Sequence, residues 1–297
     1  MRVLITGGMG FIGRYVIESL QERGHDPVVF DHYGRSPPDV EVFLGDVIDE
    51  VAITEAMTHV DAWIHLAAVL GTQETIHNPK PAAISNILGG LNVLEAAAQY
   101  GVPGTYIGVG NHWMNNTYSI TKTTIERFVD MFNNDRGTCV NIVRAMNAYG
   151  PRQVAAYPYG SARVRKITPS FCCRAIAGDD IEIYGDGQQI SDMVWVGDVA
   201  KALVKSTEMA AEGIKLDRPV EVGPAINNTV LEVAQLIHRI ADSKSKIVHL
   251  PMRPGEIPAS VVKADTSTLN QIGMSPDDMV DLDTGMRKTV EYFKSVM

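Results

Sequence analysis

Residues 2–13 read RVLITGGMGFIG, and this stretch decides the fold. Arg2 to Thr6 is a short apolar run of the buried-strand type. Phe11 to Glu22 has helical spacing, with Phe11, Ile12, Val16 and Leu20 on one side. Between them, Gly7, Gly10 and Gly13 form G-x-x-G-x-x-G at a strand-to-helix turn. Gly7 permits the tight turn, Gly10 lets the backbone approach a pyrophosphate, and Gly13 allows close helix–strand packing. The unpaired N–H groups of the helix start, at Phe11 and Ile12, then face the phosphates. A glycine triplet is weak evidence alone, but this one has the strand–turn–helix context that the chemistry requires.

Outward from that turn, the first half alternates short apolar strands with helical patterns. Strands are expected at Pro27–Asp31, Val42–Leu44, Ala62–Leu66, Thr105–Val109 and Cys139–Arg144, and helices at Asn86–Tyr100 and Tyr118–Phe132. Such alternation implies parallel pairing through right-handed crossovers, hence an α/β doubly wound, Rossmann-like sheet. The second half is less regular. Helix Ile167–Ala177 precedes strands Ile181–Tyr184 and Ile190–Trp195, which flank the turn signal GDGQQ. Asp198 and Thr229 are expected to cap helices running to about Met209 and Ala241, and Asp265 a short one ending before Gly273. The division expected is a dinucleotide-binding domain over 1–150, rejoined by part of 189–218, and a smaller C-terminal α/β substrate lobe over 151–297. That lobe lies over the carboxyl ends of the strands, where open α/β sheets bind ligands.

Asp31 ends the second strand, 18 residues after Gly13. A carboxylate there accepts hydrogen bonds from the adenosine ribose hydroxyls and repels a 2′-phosphate, so it favours NAD over NADP. Arg35, nearby, is the kind of residue that serves such a phosphate, although a solvated surface arginine is the plainer reading. Asp46, in Gly45-Asp46-Val47 after the third strand, is placed to touch the adenine edge; the competing reading is a turn-forming aspartate. His65-Leu66-Ala67-Ala68 follows the fourth strand, where small Ala67 and Ala68 leave room for a dinucleotide. His65 reads as a packed core histidine and is given no chemistry.

Tyr118 and Lys122 lie four residues apart, on one face of their helix. A free tyrosine titrates near 10. A neighbouring ammonium, together with a positive nicotinamide, favours the phenolate. Such a phenolate takes a proton from a substrate hydroxyl while hydride leaves the same carbon.

Composition narrows the alternatives. The 297 residues are 45% hydrophobic and 21% charged, which excludes general disorder. Acidic residues exceed basic ones, 35 to 26, and the dispersed net charge of −9 argues against broad nucleic-acid binding. Three cysteines, Cys139, Cys172 and Cys173, make no disulfide framework and no zinc motif, and no histidine pair has helical ligand spacing, so no metal is expected. The opening MRVLITGG reads as a first strand rather than a signal peptide, and no apolar run is membrane length; the expectation is a cytoplasmic protein without membrane association.

These motifs resemble the extended short-chain dehydrogenase/reductases, specifically the NAD-dependent nucleotide-sugar epimerase/dehydratase group. The resemblance runs through TGGMGFIG at 6–13, Asp31, GDV at 45–47, HLAA at 65–68, SNILGGLNVLEAA at 85–97 and YSITK at 118–122. It continues through NAYGPRQ at 147–153, IYGDGQQISDMVWVGDVAKAL at 183–203 and RPGE at 253–256. It implies that Tyr118 is the acid/base and that Lys122 binds the nicotinamide ribose and lowers the phenol's pKa. Gly7, Gly10, Phe11, Ile12, Gly13, Asp31, Asp46, Val47, Leu66, Ala67 and Ala68 are the further cofactor contacts it implies. Asn147 and Arg253 match positions that contact the nucleotide-sugar. UDP-glucose 4-epimerases resemble the chain most, which implies C4 epimerisation through a 4-keto sugar. Dehydratases, decarboxylases and reductases begin with the same oxidation, and a catalytically weak NAD-binding regulator is a reading from another class. The resemblance also implies a homodimer built on the helices of 86–100 and 118–132.

Three departures from the family pattern stand out. Gly108-Val109-Gly110-Asn111-His112 replaces the usual Ser or Thr after the fifth strand, leaving Asn111, His112 or Thr117 as substitute donors. Only eight residues separate Val109 from Tyr118, with no carboxylate from Gly110 to Thr124, which argues against 4,6-dehydration. Ser191 stands where an arginine is usual; Arg163, Arg165 or Lys166, beside Tyr157 and Tyr159, are candidates to compensate.

Overall fold

The computed structural model describes residues 1–33 and 40–297; Arg35 lies outside them. β1 (Arg2–Thr6) leads through the glycine turn into α1 (Phe11–Glu22), followed by β2 (Asp26–Asp31), β3 (Glu41–Leu44), α2 (Glu50–Met57) and β4 (Ala62–His65). α3 (Lys80–Ala83) passes through a π-type turn at Ile84–Leu88 into α4 (Gly89–Tyr100). β5 (Gly104–Val109), α5 (Thr117–Asp135), β6 (Val140–Ala145) and β7 (Asn147–Tyr149) complete the first half. The second half holds α6 (Ile167–Ala177), β8 (Ile181–Tyr184), β9 (Ile190–Ser191), β10 (Met193–Trp195), α7 (Val196–Ala211) and β11 (Val220–Val222). After these come α8 (Val230–Ala241), β12 (Ile247–Leu250), β13 (Val261–Val262) and α9 (Leu282–Val296).

Seven strands form one parallel sheet in the order β11-β6-β5-β4-β1-β2-β3. The order reverses between β1 and β4, the point at which open α/β sheets bind ligands at the carboxyl ends of their strands. α1 and α7 cover one face over a core that includes Val3, Ile5, Val16, Leu20 and Leu203. α2, α4 and α5 cover the other, over Leu4, Phe30, Trp63, Tyr106, Ile125 and Phe132. A third core, with Phe171, Cys172, Ile183, Ile237 and Met286, joins α6, α8 and α9 to the short parallel pair β8–β12. The doubly wound α/β class is therefore observed, with smaller C-terminal sheets beside the main one.

The expected elements of the first half all form, with ends moved by a residue, except that the helix expected to end at Phe132 runs on to Asp135. The other exception is the helix expected to begin at Asn86, which is preceded by α3 and the π-type turn. In the second half the expected strand Ile190–Trp195 is split. Asp192 interrupts it, fully buried, its carboxylate accepting the N–H groups of Ala225 (3.0 Å), Ile226 (3.3 Å) and Ala264 (3.0 Å). β9 consequently pairs with β13 and β10 with β7, so GDGQQ does not close a hairpin. Thr229 caps α8 with a reciprocal Glu232 bond, and Asp265 caps a 3₁₀ turn over Thr266–Ile272, as expected. Asp198 does not cap: it lies buried in the first turn of α7 and accepts the Val280 N–H at 2.8 Å. No helix among the described residues is long and apolar enough to cross a membrane.

Candidate active site

The glycine turn is built for close approach. Gly7 has φ +72°, in the left-handed region, and a Cβ there would lie 2.8 Å from the Ala67 nitrogen. At Gly13 a Cβ would lie 2.4 Å from the Gly8 carbonyl oxygen. Gly10 stands just ahead of α1 with no side-chain cap, and the first bond closing the helix is Arg14 N–H to the Gly10 carbonyl at 3.3 Å. The N–H groups of Phe11, Ile12 and Gly13 thus have no acceptor among the described residues, leaving donors at the positive end of the helix. Asp31 ends β2 within reach of this turn, 7% exposed, accepting the Met9 N–H at 3.0 Å and the Tyr33 N–H at 3.1 Å.

Leu66 continues β4 by donating its N–H to the Thr6 carbonyl at 3.0 Å, and half-buried Ala67 and Ala68 follow beside Gly7. Val47 is buried, whereas Asp46 is exposed and its carboxylate accepts the Ile48 N–H at 3.2 Å, the turn-forming arrangement weighed against adenine contact. Asn86, inside the π-type turn, was not singled out by the sequence. Its amide bonds the Val69 N–H (2.7 Å) and carbonyl (3.1 Å) and the Thr121 hydroxyl (2.9 Å). It ties the segment after β4 to the helix bearing Tyr118. The π-type turn, frequent at functional sites, is the only local irregularity that marks it.

Tyr118 and Lys122 lie one turn apart on α5, started by Asn116, whose side chain accepts the Ser119 N–H. The Tyr118 hydroxyl has no hydrogen-bond partner among the described residues, and burial pushes its pKa up to about 12. Lys122 is 1% exposed, with Nζ 4.1 Å above the Tyr106 ring. Burial pulls the ammonium down to about 7, against the opposing pull of Glu126. His65 stacks on Tyr106 with ring centroids 5.7 Å apart, and its Nδ1 meets the Thr6 hydroxyl at 2.6 Å. Burial, with the Lys122 charge adding to it, lowers its pKa to about 3, so the imidazole is neutral.

Asn111 and His112 diverge. Asn111 lines a cavity, and its amide reaches the Met114 sulfur at 3.5 Å. His112 is turned to Arg144, 3.5 Å from the guanidinium, and does not line that cavity. The Thr117 hydroxyl donates to the Thr75 carbonyl at 3.1 Å.

The cavity, about 240 Å³, is walled by Asn111, Asn147, Ser191, Tyr184, Arg165, Lys166 and Arg253, with Glu74, Glu182 and Glu256 among them. The Asn147 amide donates to the Ser191 hydroxyl at 2.7 Å. Arg253 stacks on the Tyr184 ring at 4.6 Å and pairs with Glu256. Arg165 donates to the Tyr184 hydroxyl at 2.5 Å and to Glu182 at 2.8 Å. Lys166 has no hydrogen-bond partner among the described residues; burial lowers its pKa, with Glu74 opposing and Arg253 assisting. Arg163 is exposed, Tyr157 is 87% exposed, and Tyr159 bonds Asp179; none of the three lines the cavity. The three cysteines are free, Cys172 and Cys173 buried, and no group of three metal-ligating side chains occurs among the described residues.

The site therefore comprises a glycine cradle that a Cβ would fill, a carboxylate at the end of β2, and a half-buried phenol one helical turn from a buried lysine. These features fit a dinucleotide whose nicotinamide end meets α5. The comparisons agree. Residues 3–223 match the model of the NAD dependent epimerase/dehydratase family. A UDP-N-acetyl-alpha-D-glucosaminuronate decarboxylase of Bacillus cytotoxicus is 28% identical over 99% of this chain and 98% of its own length. A putative UDP-glucose 4-epimerase of Methanocaldococcus jannaschii is also 28% identical over the same shares. Among solved structures, a Thermus thermophilus UDP-glucose 4-epimerase in complex with NAD is 28% identical over the whole of both chains, with a TM-score of 0.86. A Thermotoga maritima UDP-glucose 4-epimerase with UDP-glucose is 26% identical over 100% of this chain and 99% of its own, with a TM-score of 0.87. The chain belongs to the NAD-dependent epimerase/dehydratase family; it is an enzyme that modifies nucleotide-sugars, with NAD as cofactor.

Proposed function

We propose that this family member interconverts the C4 epimers of a nucleotide-sugar, with a UDP-sugar favoured, through a transient 4-keto sugar. The observation that carries the reading is the Tyr118–Lys122 pair, one turn apart on α5, with a phenol that has no hydrogen-bond partner among the described residues, in a segment with no carboxylate between Gly110 and Thr124; neither side chain lines the cavity described above. That segment suits proton transfer at one hydroxyl and carries no acid next to the base, the arrangement that 4,6-dehydration needs; the carboxylates of the cavity wall, Glu74, Glu182 and Glu256, come from other segments.

Tyr118 takes the proton from the C4 hydroxyl and returns it after the keto sugar has turned. Lys122 stabilises the phenolate by its charge and holds the cofactor's ribose. Bound NAD supplies the hydride acceptor and donor. Asn111, at the cavity wall, offers an amide donor to the reacting oxygen where the family's hydroxyl is absent. Asn147 and Arg253 contact the diphosphate or sugar, with Lys166 supplying the charge that Ser191 does not. Asp31 accepts the adenosine ribose hydroxyls. The domain division at about residue 150 belongs to the same reading.

Lys166 also favours a second reading. An ammonium in the cavity wall with no hydrogen-bond partner among the described residues, and only the charge of Glu74 acting with it, suits a uronate carboxylate, and C4 oxidation of a uronate sets up loss of that carboxyl group as carbon dioxide. Proton NMR on neutral and uronic UDP-sugars separates the two: a C4 epimer supports the first, a pentose product the second. A homodimer through α4 and α5 is supported by the exposure of Leu88, in the turn that leads into α4, and of Ile120 on α5, and a dimer mass in analytical ultracentrifugation is its check.

A further inference from the structure

We infer that Glu126 is a positioning residue for Lys122: its carboxylate, clamped by Arg144 and seated on Gly108, holds Lys122 as the ammonium beside Tyr118. The inference rests on the catalytic reading of Tyr118 and Lys122 given above.

The geometry is a register between one strand and one helix. Tyr118, Lys122 and Glu126 follow one another at single-turn intervals along α5. β5 runs beneath, and its alternate residues Tyr106 and Gly108 point to the same face. Tyr106 lies under Lys122, with its ring 4.1 Å from Nζ and its hydroxyl donating to the Lys122 carbonyl at 3.1 Å. Gly108 lies under Glu126: a Cβ at 108 would stand 2.2 Å from Glu126 Oε1. The missing side chain at 108 is thus the space the carboxylate occupies.

Glu126 is buried, and Arg144 of β6 holds both its oxygens, Nε at 3.2 Å from each and an Nη at 2.6 Å from Oε2. A second carboxylate, Glu221 of β11, meets Arg144 at 3.3 Å, and His112 meets it at 3.5 Å. Two carboxylates then share Arg144, whose single charge cannot balance both. The cluster is neutral only when Lys122 carries its proton, and a buried charge is tolerated only when paired. The other groups facing Lys122 add no anion. His65 of β4 is a neutral imidazole, Tyr106 stays a phenol with its hydroxyl donating, and the Tyr118 phenol is protonated without cofactor. Glu126 is the group that opposes the effect of burial on Lys122.

The test is a carbon NMR titration of lysine Cε in cofactor-free protein, with Lys122→Met assigning the signal. It is run on wild type, Glu126→Gln and Glu221→Gln, alongside the pH profile of kcat/KM. In Glu126→Gln the proton affinity of Lys122 should fall by about tenfold or more. The alkaline limb of the profile should move to lower pH by the same amount, with KM little changed. Glu221→Gln removes a carboxylate that meets Arg144 rather than Lys122, and should move the signal less than Glu126→Gln does. An unchanged Lys122 titration in Glu126→Gln overturns the inference, as does an equal change in Glu221→Gln. Should Glu126→Gln not fold, Glu126→Asp draws the carboxylate back while keeping its charge; a wild-type titration there also overturns it. Full activity in Tyr118→Phe would instead refute the catalytic reading and leave the titration result standing.

Discussion

Substituting Gly13 with alanine tests the cofactor cradle at its tightest point. The new Cβ would lie 2.4 Å from the Gly8 carbonyl oxygen and 2.6 Å from the Gly8 carbonyl carbon and Cα. These are backbone atoms with no rotamer to change, so the start of α1 must withdraw by about 1 Å to reach ordinary contact. Overpacking of this kind costs about 1–3 kcal/mol of stability. The larger effect falls on binding, because the free N–H groups of Phe11, Ile12 and Gly13 move with the helix. Hydrogen bonds to a charged group contribute about 1.5–3 kcal/mol each. Losing two of them weakens NAD by roughly 3–6 kcal/mol, or about two to four powers of ten in Kd. Calorimetric titration with NAD and urea unfolding, performed together, separate the two effects. Gly24→Ala is the control: Gly24, unlike helical Gly13, has a left-handed φ of +75°, and nothing lies within 4 Å of its Cβ position, so the change should lose some stability and no NAD affinity. NAD affinity within about threefold of wild type in Gly13→Ala, where roughly 3–6 kcal/mol is expected, would refute the reasoning.

Asp31→Ala should weaken NAD by about 10- to 150-fold, the loss of a charge-assisted contact, and bring NAD and NADP affinities together. Wild-type protein that prefers NADP would show the carboxylate to be misread. Burial disfavours the Tyr118 phenolate, so its absorbance, isolated as the difference from Tyr118→Phe, should rise only as pH nears 12 in cofactor-free protein and earlier with NAD bound. Between the ordinary phenol value near 10 and that value the folded chain keeps a proton that the unfolded chain releases; this group therefore lowers stability as pH rises through the window. A phenol that titrates near 10 in the cofactor-free protein would contradict its burial.

What the sequence made legible was local. The glycine turn, the end of β2 and the Tyr118–Lys122 spacing each depend on residues within one strand–turn–helix or one helical turn. The hidden features depend on packing between elements. Gly108 was visible as a departure from the family pattern, but its use as the seat of Glu126 requires the register of α5 on β5. Asn86 looks like any polar residue on a helix until the π-type turn carries it to Val69 and Thr121. The strand expected at 190–195 breaks because Asp192 is buried to gather three N–H groups from remote segments, a demand that apolar alternation cannot express. The final helix, α9, escaped the pattern because Gly285 interrupts it; a Cβ there would stand 2.2 Å from the Tyr149 hydroxyl, so the residue that weakens the helical signal is the one its packing requires. Asp198 had the chemistry of a cap, and its carboxylate went instead to the Val280 N–H inside the core.

The most direct test is a proton NMR time course of the purified protein on neutral and uronic UDP-, GDP- and dTDP-sugars, without added NAD, beside Tyr118→Phe. C4 epimerisation of one sugar by wild type is expected, with Tyr118→Phe slower by about 10²- to 10⁴-fold. Turnover at the wild-type rate in Tyr118→Phe, or release of carbon dioxide with no epimer formed, would contradict C4 epimerisation driven by the Tyr118–Lys122 pair.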